Sequence, residues 1–254
     1  MSNLSEPAPP PAISIRGLSV SYDLKRVLTN IYLDLAPGHL YGIIGPNGAG
    51  KSTLFKSILD LIDVNSGKVL IHGAPIEQMR RRVTYVPQRD DIDWTFPATV
   101  MDVVLIGRYP YRGILQRFTK TDHQIAADAL DQLGIAHLRE RQIGQLSGGQ
   151  QQRVFLARAL CQQADIVLLD EPFVGVDITT EQRIIQILKQ LAAEGKTLLV
   201  VHHDLDSVRE YFDRVIMLNQ RLVAEGDTDT TFTEENLRAT YTSQLDILHK
   251  TGLL

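Results

Sequence analysis

Short apolar runs recur along the chain, and four of them stop at a glycine or a polar group. They are Leu40–Ile44 before Gly45, Val83–Val86 before Pro87-Gln88, Ile166–Leu169 before Asp170-Glu171, and Leu198–Val201 before His202-His203. Continuous apolar runs of this length suit strands covered on both faces, as in a parallel sheet. Near the N-terminus, Ile13, Ile15, Leu18, Val20 and Tyr22 alternate with polar positions and predict a further strand. Amphipathic patterns fill the intervals. One carries Ile125, Ala129, Leu130 and Leu133, with Thr121 and Gln124 as its predicted cap and Gly134 as its stop. Another carries Ile184, Ile187, Leu188 and Leu191 and closes at Gly195. Strand–helix alternation predicts an α/β fold with a mostly parallel sheet, whose ligands bind at the carboxyl ends of the strands. The four run ends are therefore expected to converge on one site.

Residues 1–11 end in Pro7-Ala8-Pro9-Pro10-Pro11 and read as a disordered or polyproline-like tail, with ordered structure expected from Ala12. Leu237, Tyr241, Leu245 and Leu248 recur at helical spacing and predict a helical extension over 228–254, whose packing partner the pattern leaves open. At 254 residues and 44% hydrophobic the chain can bury a large core, and a net charge of -4 argues against nucleic acid as a partner. No apolar run approaches the ~18 residues of a membrane span, and the N-terminus lacks the pattern of a signal peptide. The lone Cys161 excludes an internal disulfide and fits a reducing compartment. A membrane, if met, is expected to be met from the cytoplasm through a partner. His39, His72, His123, His137 and His249 lack ligand spacing, so no structural metal site is expected.

The run from Gly45 to Ser52 has the form GxxxxGK[ST], after a strand and before an apolar helix carrying Leu54, Phe55, Ile58 and Leu59. Glycines there let backbone N–H groups turn inward around phosphates, and the helix N-terminus adds positive potential. Lys51 is expected to reach the β- and γ-phosphates and Ser52 to ligate Mg²⁺. Asp170 and Glu171 end a buried strand, where acids are costly unless paired or beside a metal. In isolation an exposed turn explains them as well. Beside a phosphate loop, Asp170 is expected to hold Mg²⁺ through water and Glu171 to orient and deprotonate the attacking water. Ser147 and Gln150 form a predicted capping box. That box does not explain Gly148 and Gly149, each of which costs about 1 kcal/mol against alanine in a helix. A close approach to the backbone is expected there, with a second phosphate contact as the natural candidate.

Leu146–Gln150, followed by Gln151, Gln152 and Arg153, resembles the signature of ABC ATPases, with the phosphate loop upstream and Asp170-Glu171 downstream. The resemblance runs from about Ala12 to Asp227. It implies a P-loop NTPase cassette with a RecA-like, mostly parallel core (12–88 and 164–227). An N-terminal antiparallel β portion and an inserted helical subdomain (89–163) complete it. It implies ATP held by Gly45, Pro46, Asn47, Gly48, Ala49, Gly50, Lys51, Ser52 and Thr53. Tyr22 matches the aromatic that stacks on adenine, although a core aromatic is the alternative. Gln88 matches the glutamine near Mg²⁺ and water. His203 matches the switch histidine on the γ-phosphate, giving a catalytic set of Lys51, Gln88, Glu171 and His203. His202 falls where many members carry threonine and is expected to face away from its neighbour. In Val174-Gly175-Val176-Asp177 only Asp177 matches the family's D-loop. The family also implies a head-to-tail dimer, in which Ser147, Gly148, Gly149 and Gln150 of one chain meet the ATP of the other.

One cassette without membrane spans implies a separate permease at the cytoplasmic face of the inner membrane, and a solute-binding protein indirectly. The segment from Gln88 to Pro97, with Thr99-Val100 and Gly107-Arg108-Tyr109, is similar to cassettes of bacterial manganese, zinc or iron importers. It is expected to face the permease, with Trp94, Phe96 and Pro97 as an apolar anchor rimmed by Arg89, Asp90, Asp91 and Asp93. The alternative reading is a loop and helix that simply pack Trp94. Two other classes stay open: a soluble ABC ATPase for cofactor or iron-sulfur assembly, and an ABC protein acting on nucleic acid, which typically has two cassettes or long coiled-coil insertions.

Overall fold

The structure is a computed structural model that describes residues 10–23, 25–89, 92–112 and 116–241. The chain runs through β1 (Ile13–Tyr22), β2 (Lys25–Leu35), β3 (Leu40–Ile44), α1 (Lys51–Ile58), β4 (Ser66–Ile71), α2 (Ile76–Met79) and β5 (Val83–Val86). Three helices follow: α3 (Val100–Leu105), α4 (Lys120–Gln132) and α5 (Gly148–Gln162). Then come β6 (Ile166–Asp170), α6 (Ile178–Ala193), β7 (Thr197–Val201), α7 (Val208–Tyr211), β8 (Arg214–Asn219), β9 (Arg221–Asp227) and α8 (Thr228–Thr231).

Every residue of β3, β6 and β7 is buried, as their unbroken apolar runs require. They lie inside a six-stranded sheet of order β5-β6-β7-β3-β8-β9, parallel except for the β8–β9 hairpin. A three-stranded antiparallel sheet, β2-β1-β4, stands apart from it. Successive strand residues point to opposite faces, and the core divides accordingly. Ile43, Leu168, Leu199, Val201 and Ile216 pack with Phe55 and Ile58 of α1 and with the antiparallel sheet. Ile44, Leu169, Leu198, Val200 and Met217 pack on the other side with Ile184 and Leu188 of α6 and with α3–α5. This is the mostly parallel core, antiparallel N-terminal portion and helical insertion that the resemblance implies. Because β3, β5, β6 and β7 are parallel neighbours, their carboxyl ends share one edge.

The start of α4 differs from the predicted one. Its N-cap is Thr119, with Asp122 completing the capping box, not Thr121 with Gln124. The Asp122 carboxylate accepts the Thr119 amide at 2.8 Å and its hydroxyl at 2.7 Å, and pairs with Arg108 at 3.0 Å and Arg112 at 2.5 Å. An anionic acceptor at this position makes stronger hydrogen bonds than an amide and is the better neighbour for a helix N-terminus. Gln124 instead donates to Asp128 on the exposed side. Arg108 also donates to the Cys161 carbonyl at 2.9 Å, tying this network to α5.

The proposed apolar anchor is split. Trp94 turns inward, its ring edge-to-face with Phe155 at 5.2 Å, and its indole N–H donates to the Arg89 carbonyl. Phe96 faces outward at 65% exposure. Arg89 does not belong to a polar rim; it lies against α5. Asp90 and Asp91 fall outside the described residues, as do residues 1–9 of the predicted tail and Leu245 and Leu248 of the predicted extension. Residues 234–241 are helical, and Leu237 and Tyr241 pack on the second core cluster. Among the described residues, no helix is long and apolar enough to cross a membrane.

Candidate functional site

The turn after β3 brings the chain into α1 through a loop that leaves no room for a side chain at Gly45 or Gly50. A Cβ at Gly45 would lie 2.0 Å from the Leu218 carbonyl oxygen. At Gly50, φ is +96°, and a Cβ would lie 2.5 Å from a Leu28 methyl. Gly50 is the N-cap of α1 and supplies no side-chain cap, and the first turn carries no acid. The leading N–H groups of α1 are thus left for an external acceptor, with the positive end of the helix behind them. Lys51 opens the helix, is only 6% exposed, and donates to the carbonyls of Gly45 (2.8 Å) and Pro46 (3.0 Å). Burial depresses its ammonium, and the nearby Glu171 and Asp170 carboxylates oppose that effect.

Above the loop opens a cleft of about 1100 Å³. Its lining joins Asn47, Gly48, Ala49, Gly50, Lys51, Ser52 and Thr53 to Gln88, Glu171 and His203. Tyr22 stands at one wall, 46% exposed at the end of β1. At that exposure it is not the buried core aromatic of the alternative reading. Asp23, Lys25, Arg26 and Val27 share that wall and were not anticipated. Their only signal was the pair of basic residues beside Tyr22, whose position depends on where the β1–β2 hairpin turns.

The far wall is acidic. Asp170 closes β6 at 1% exposure. Its Oδ2 accepts the Tyr85 hydroxyl at 3.4 Å, Ser52 hydrogen-bonds to the carboxylate, and the buried Oδ1 has no partner. Burial raises the carboxyl from its ordinary value, Ser52 opposing. Glu171 follows with φ +52°, a left-handed conformation that costs a non-glycine residue about 1–3 kcal/mol. This turn sends its side chain into the cleft. Its Oε2 accepts the Gln88 amide at 3.1 Å, and its Oε1 lies 2.5 Å from Nε2 of His203. A carboxylate held at both oxygens beside a buried ammonium fits a group that aims a water at a bound phosphate.

His202 faces the other way, as expected. It is buried among Phe173, Tyr211 and Phe212, with Nε2 2.7 Å from the Ser207 hydroxyl. Burial pushes its pKa down.

Ser147, Gly148, Gly149, Gln150 and Asp177 do not line the cleft. Ser147 caps α5 through the predicted box, its amide donating to Gln150 at 3.0 Å. Asp177 caps α6 by accepting the Thr180 amide at 3.0 Å. The two caps adjoin: a Cβ at Gly149 would lie 3.4 Å from the Gly175 carbonyl oxygen. The close approach expected at the helix-start glycines is made at Gly148 by this chain's own Arg89, whose guanidinium carbon would lie 3.0 Å from a Cβ there. The chain thus displays two separate surfaces, a cleft and a capped glycine turn.

Residues 28–174 match the family model described as ABC transporter. The manganese transport system ATP-binding protein MntB of Bacillus subtilis is 51% identical over 236 residues, covering 93% of this chain and 94% of that one. The zinc transport system ATP-binding protein TroB of Treponema pallidum is 51% identical over 230 residues, covering 91% and 86%. A solved dimer of an ATP-binding cassette in a post-hydrolysis state, with ADP and phosphate, superposes with a TM-score of 0.75 at 29% identity, covering 85% of this chain and 98% of that one. With the phosphate loop, the acidic strand end and the signature turn all in place on this fold, the chain belongs to the ABC transporter family as one of its ATP-hydrolysing cassettes.

Proposed function

We propose that the chain powers an importer of a divalent transition metal, manganese first and zinc or iron next, acting through a separate permease at the cytoplasmic face of the membrane. A solute-binding protein would take part only indirectly. The observation that carries the catalytic part is the Glu171 carboxylate, bridged by Gln88 and His203 beside Lys51. In this reading the α1 amides and Lys51 hold the β- and γ-phosphates, the ammonium exchanging its two loop carbonyls for phosphate oxygens. Tyr22 stacks on adenine. Glu171 takes the proton of the attacking water, and Gln88 and His203 keep the carboxylate aimed.

Mg²⁺ fits this cleft, since the buried, unpartnered Oδ1 of Asp170 lies on a carboxylate already bonded to Ser52. Ser52, Asp170 and Gln88 would hold the ion. When bound, it neutralises charge on the phosphates. A second copy, head to tail, would bring Ser147, Gly148, Gly149, Gln150 and Asp177 to the open cleft. The separation of the two surfaces within one chain supports this, as does the dimeric state of the related cassette.

Support for the cargo comes from relatives at 51% identity whose names specify manganese and zinc transport, and these favour transport over a soluble assembly ATPase. A strain lacking the chain is expected to grow poorly under metal chelation and to recover with one added ion, which identifies the cargo. Normal metal content, with uptake of a sugar or amino acid impaired instead, would overturn the cargo while leaving the ATPase standing.

A further inference from the structure

Arg89 directly follows the cleft residue Gln88, yet its side chain leaves the cleft and lies on the first turn of α5. One guanidinium nitrogen donates to Oε1 of Gln151 at 3.2 Å, and the group covers Gly148. Gln151 is 4% exposed and is itself fixed by donating to the Ile143 carbonyl at 3.2 Å. The Arg89 main chain is pinned by the Trp94 indole at 3.0 Å, and its guanidinium stands 6.0 Å from the centre of that ring. Its Nε is buried without a partner. A cation at the start of a helix opposes the helix dipole. The electrostatics of α5 therefore do not select this position, and the Gln151 and Trp94 contacts hold it.

On its other side Arg89 is one peptide from Gln88, whose amide reaches Oε2 of Glu171 at 3.1 Å. A short path of hydrogen bonds and main chain thus joins the signature turn to the carboxylate: Gln151, Arg89, Gln88, Glu171. We propose that Arg89 is a positioning residue that sets the Gln88–Glu171 geometry according to how the first turn of α5 is seated. This rests on the reading of Glu171 as the base. Its consequence is directional. When the Ser147–Gln150 turn of one copy closes on the nucleotide of its partner, it aligns that same copy's own Glu171, so the two composite sites inform one another.

The test is a double-mutant cycle on the full chain, with steady-state ATP turnover, KM and the Kd for ATP as readouts. Arg89→Ala and Gln151→Met are each expected to lower kcat about tenfold, the size of one lost charge-assisted hydrogen bond. The double variant should be no slower than the slower single, with KM and Kd within about twofold of wild type. Arg89→Lys keeps the charge but not the planar fork and should not restore turnover. Gln151→Met keeps side-chain volume and carries the test alone if Arg89→Ala fails to fold. Full turnover in the single variants overturns the proposal, as do independent, multiplying losses or a parallel fall in ATP affinity. Glu171→Gln run alongside separates the two readings. Normal turnover there defeats the base assignment, whereas slow turnover there with normal Arg89→Ala defeats only the positioning role.

Discussion

Nε2 of His203 lies 2.5 Å from Oε1 of Glu171, while the Gln88 amide holds Oε2 of the same carboxylate at 3.1 Å. Both oxygens are engaged at once, and each keeps a further lone-pair site at which a water can be held. His203 is the more exposed side chain of the pair, at 39% against 18% for Glu171, and in the proposed reading it is the one that turns toward an arriving phosphate.

His203→Ala is accordingly expected to lower kcat by at least about tenfold, a modest share of what a positioned acid–base group contributes. Binding of ATP to the isolated chain should be little changed, because the α1 amides and Lys51 are untouched. Turnover and equilibrium binding on the same preparation check this, and an equal loss in both would show that His203 serves affinity instead.

Ser147→Arg is expected to abolish cooperative hydrolysis while ATP binding to a single chain persists. Ser147 caps α5 away from the cleft, so in the proposed head-to-tail pair a bulky cation there would meet the partner's nucleotide and not the chain's own. Mixing Ser147→Arg with Lys51→Ala should leave at most one competent composite site per dimer. Failure of isolated Ser147→Arg chains to bind ATP would show that the turn acts within its own chain.

Acid should loosen the helical insertion through Asp122. Burial alone would raise this carboxyl, but hydrogen bonds from Thr119 and the guanidinium groups of Arg108 and Arg112 outweigh it and hold it well below the ordinary range. The folded value thus lies below the unfolded one of about 3.9. The stabilisation is fully present above about pH 5 and is lost as pH falls through the unfolded value toward the folded one. Asp122→Asn should cost about 3 kcal/mol at neutral pH, since it leaves the buried Arg108 guanidinium without its counter-charge, and should flatten the acid limb of the stability curve. Denaturant melts between pH 3 and pH 7 give both quantities; an unchanged acid limb in the variant would remove Asp122 as its source.

Much of the core and of the phosphate loop was legible because the causes are local. An unbroken apolar run such as Leu198–Val201 has few homes except a strand covered on both faces. Gly45 and Gly50 sit where backbone geometry admits nothing larger. What escaped depends on contacts distant in sequence. Thr121 and Gln124 make a plausible cap until Arg108 and Arg112, from an earlier segment, reward Asp122 instead. Arg89 reads as a surface charge until Gln151, far along the chain, offers it an acceptor. Lys25 and Arg26 reach the cleft only because the hairpin turns at Asp23. At Ser147–Gln150 the helix-start glycines suggested a second phosphate contact and the family resemblance a partner's nucleotide, and within one chain the turn does not line the cleft.

The central claim is that Glu171, presented by its left-handed backbone and held by Gln88 and His203, is the base that activates water. Glu171→Gln preserves the shape and removes the charge. Single-turnover ATP hydrolysis by this variant, measured beside its ATP affinity and its oligomeric state, tests the claim most directly. Hydrolysis is expected to fall by at least about a hundredfold with binding intact and an ATP-bound dimer accumulating. Hydrolysis near the wild-type rate would contradict it.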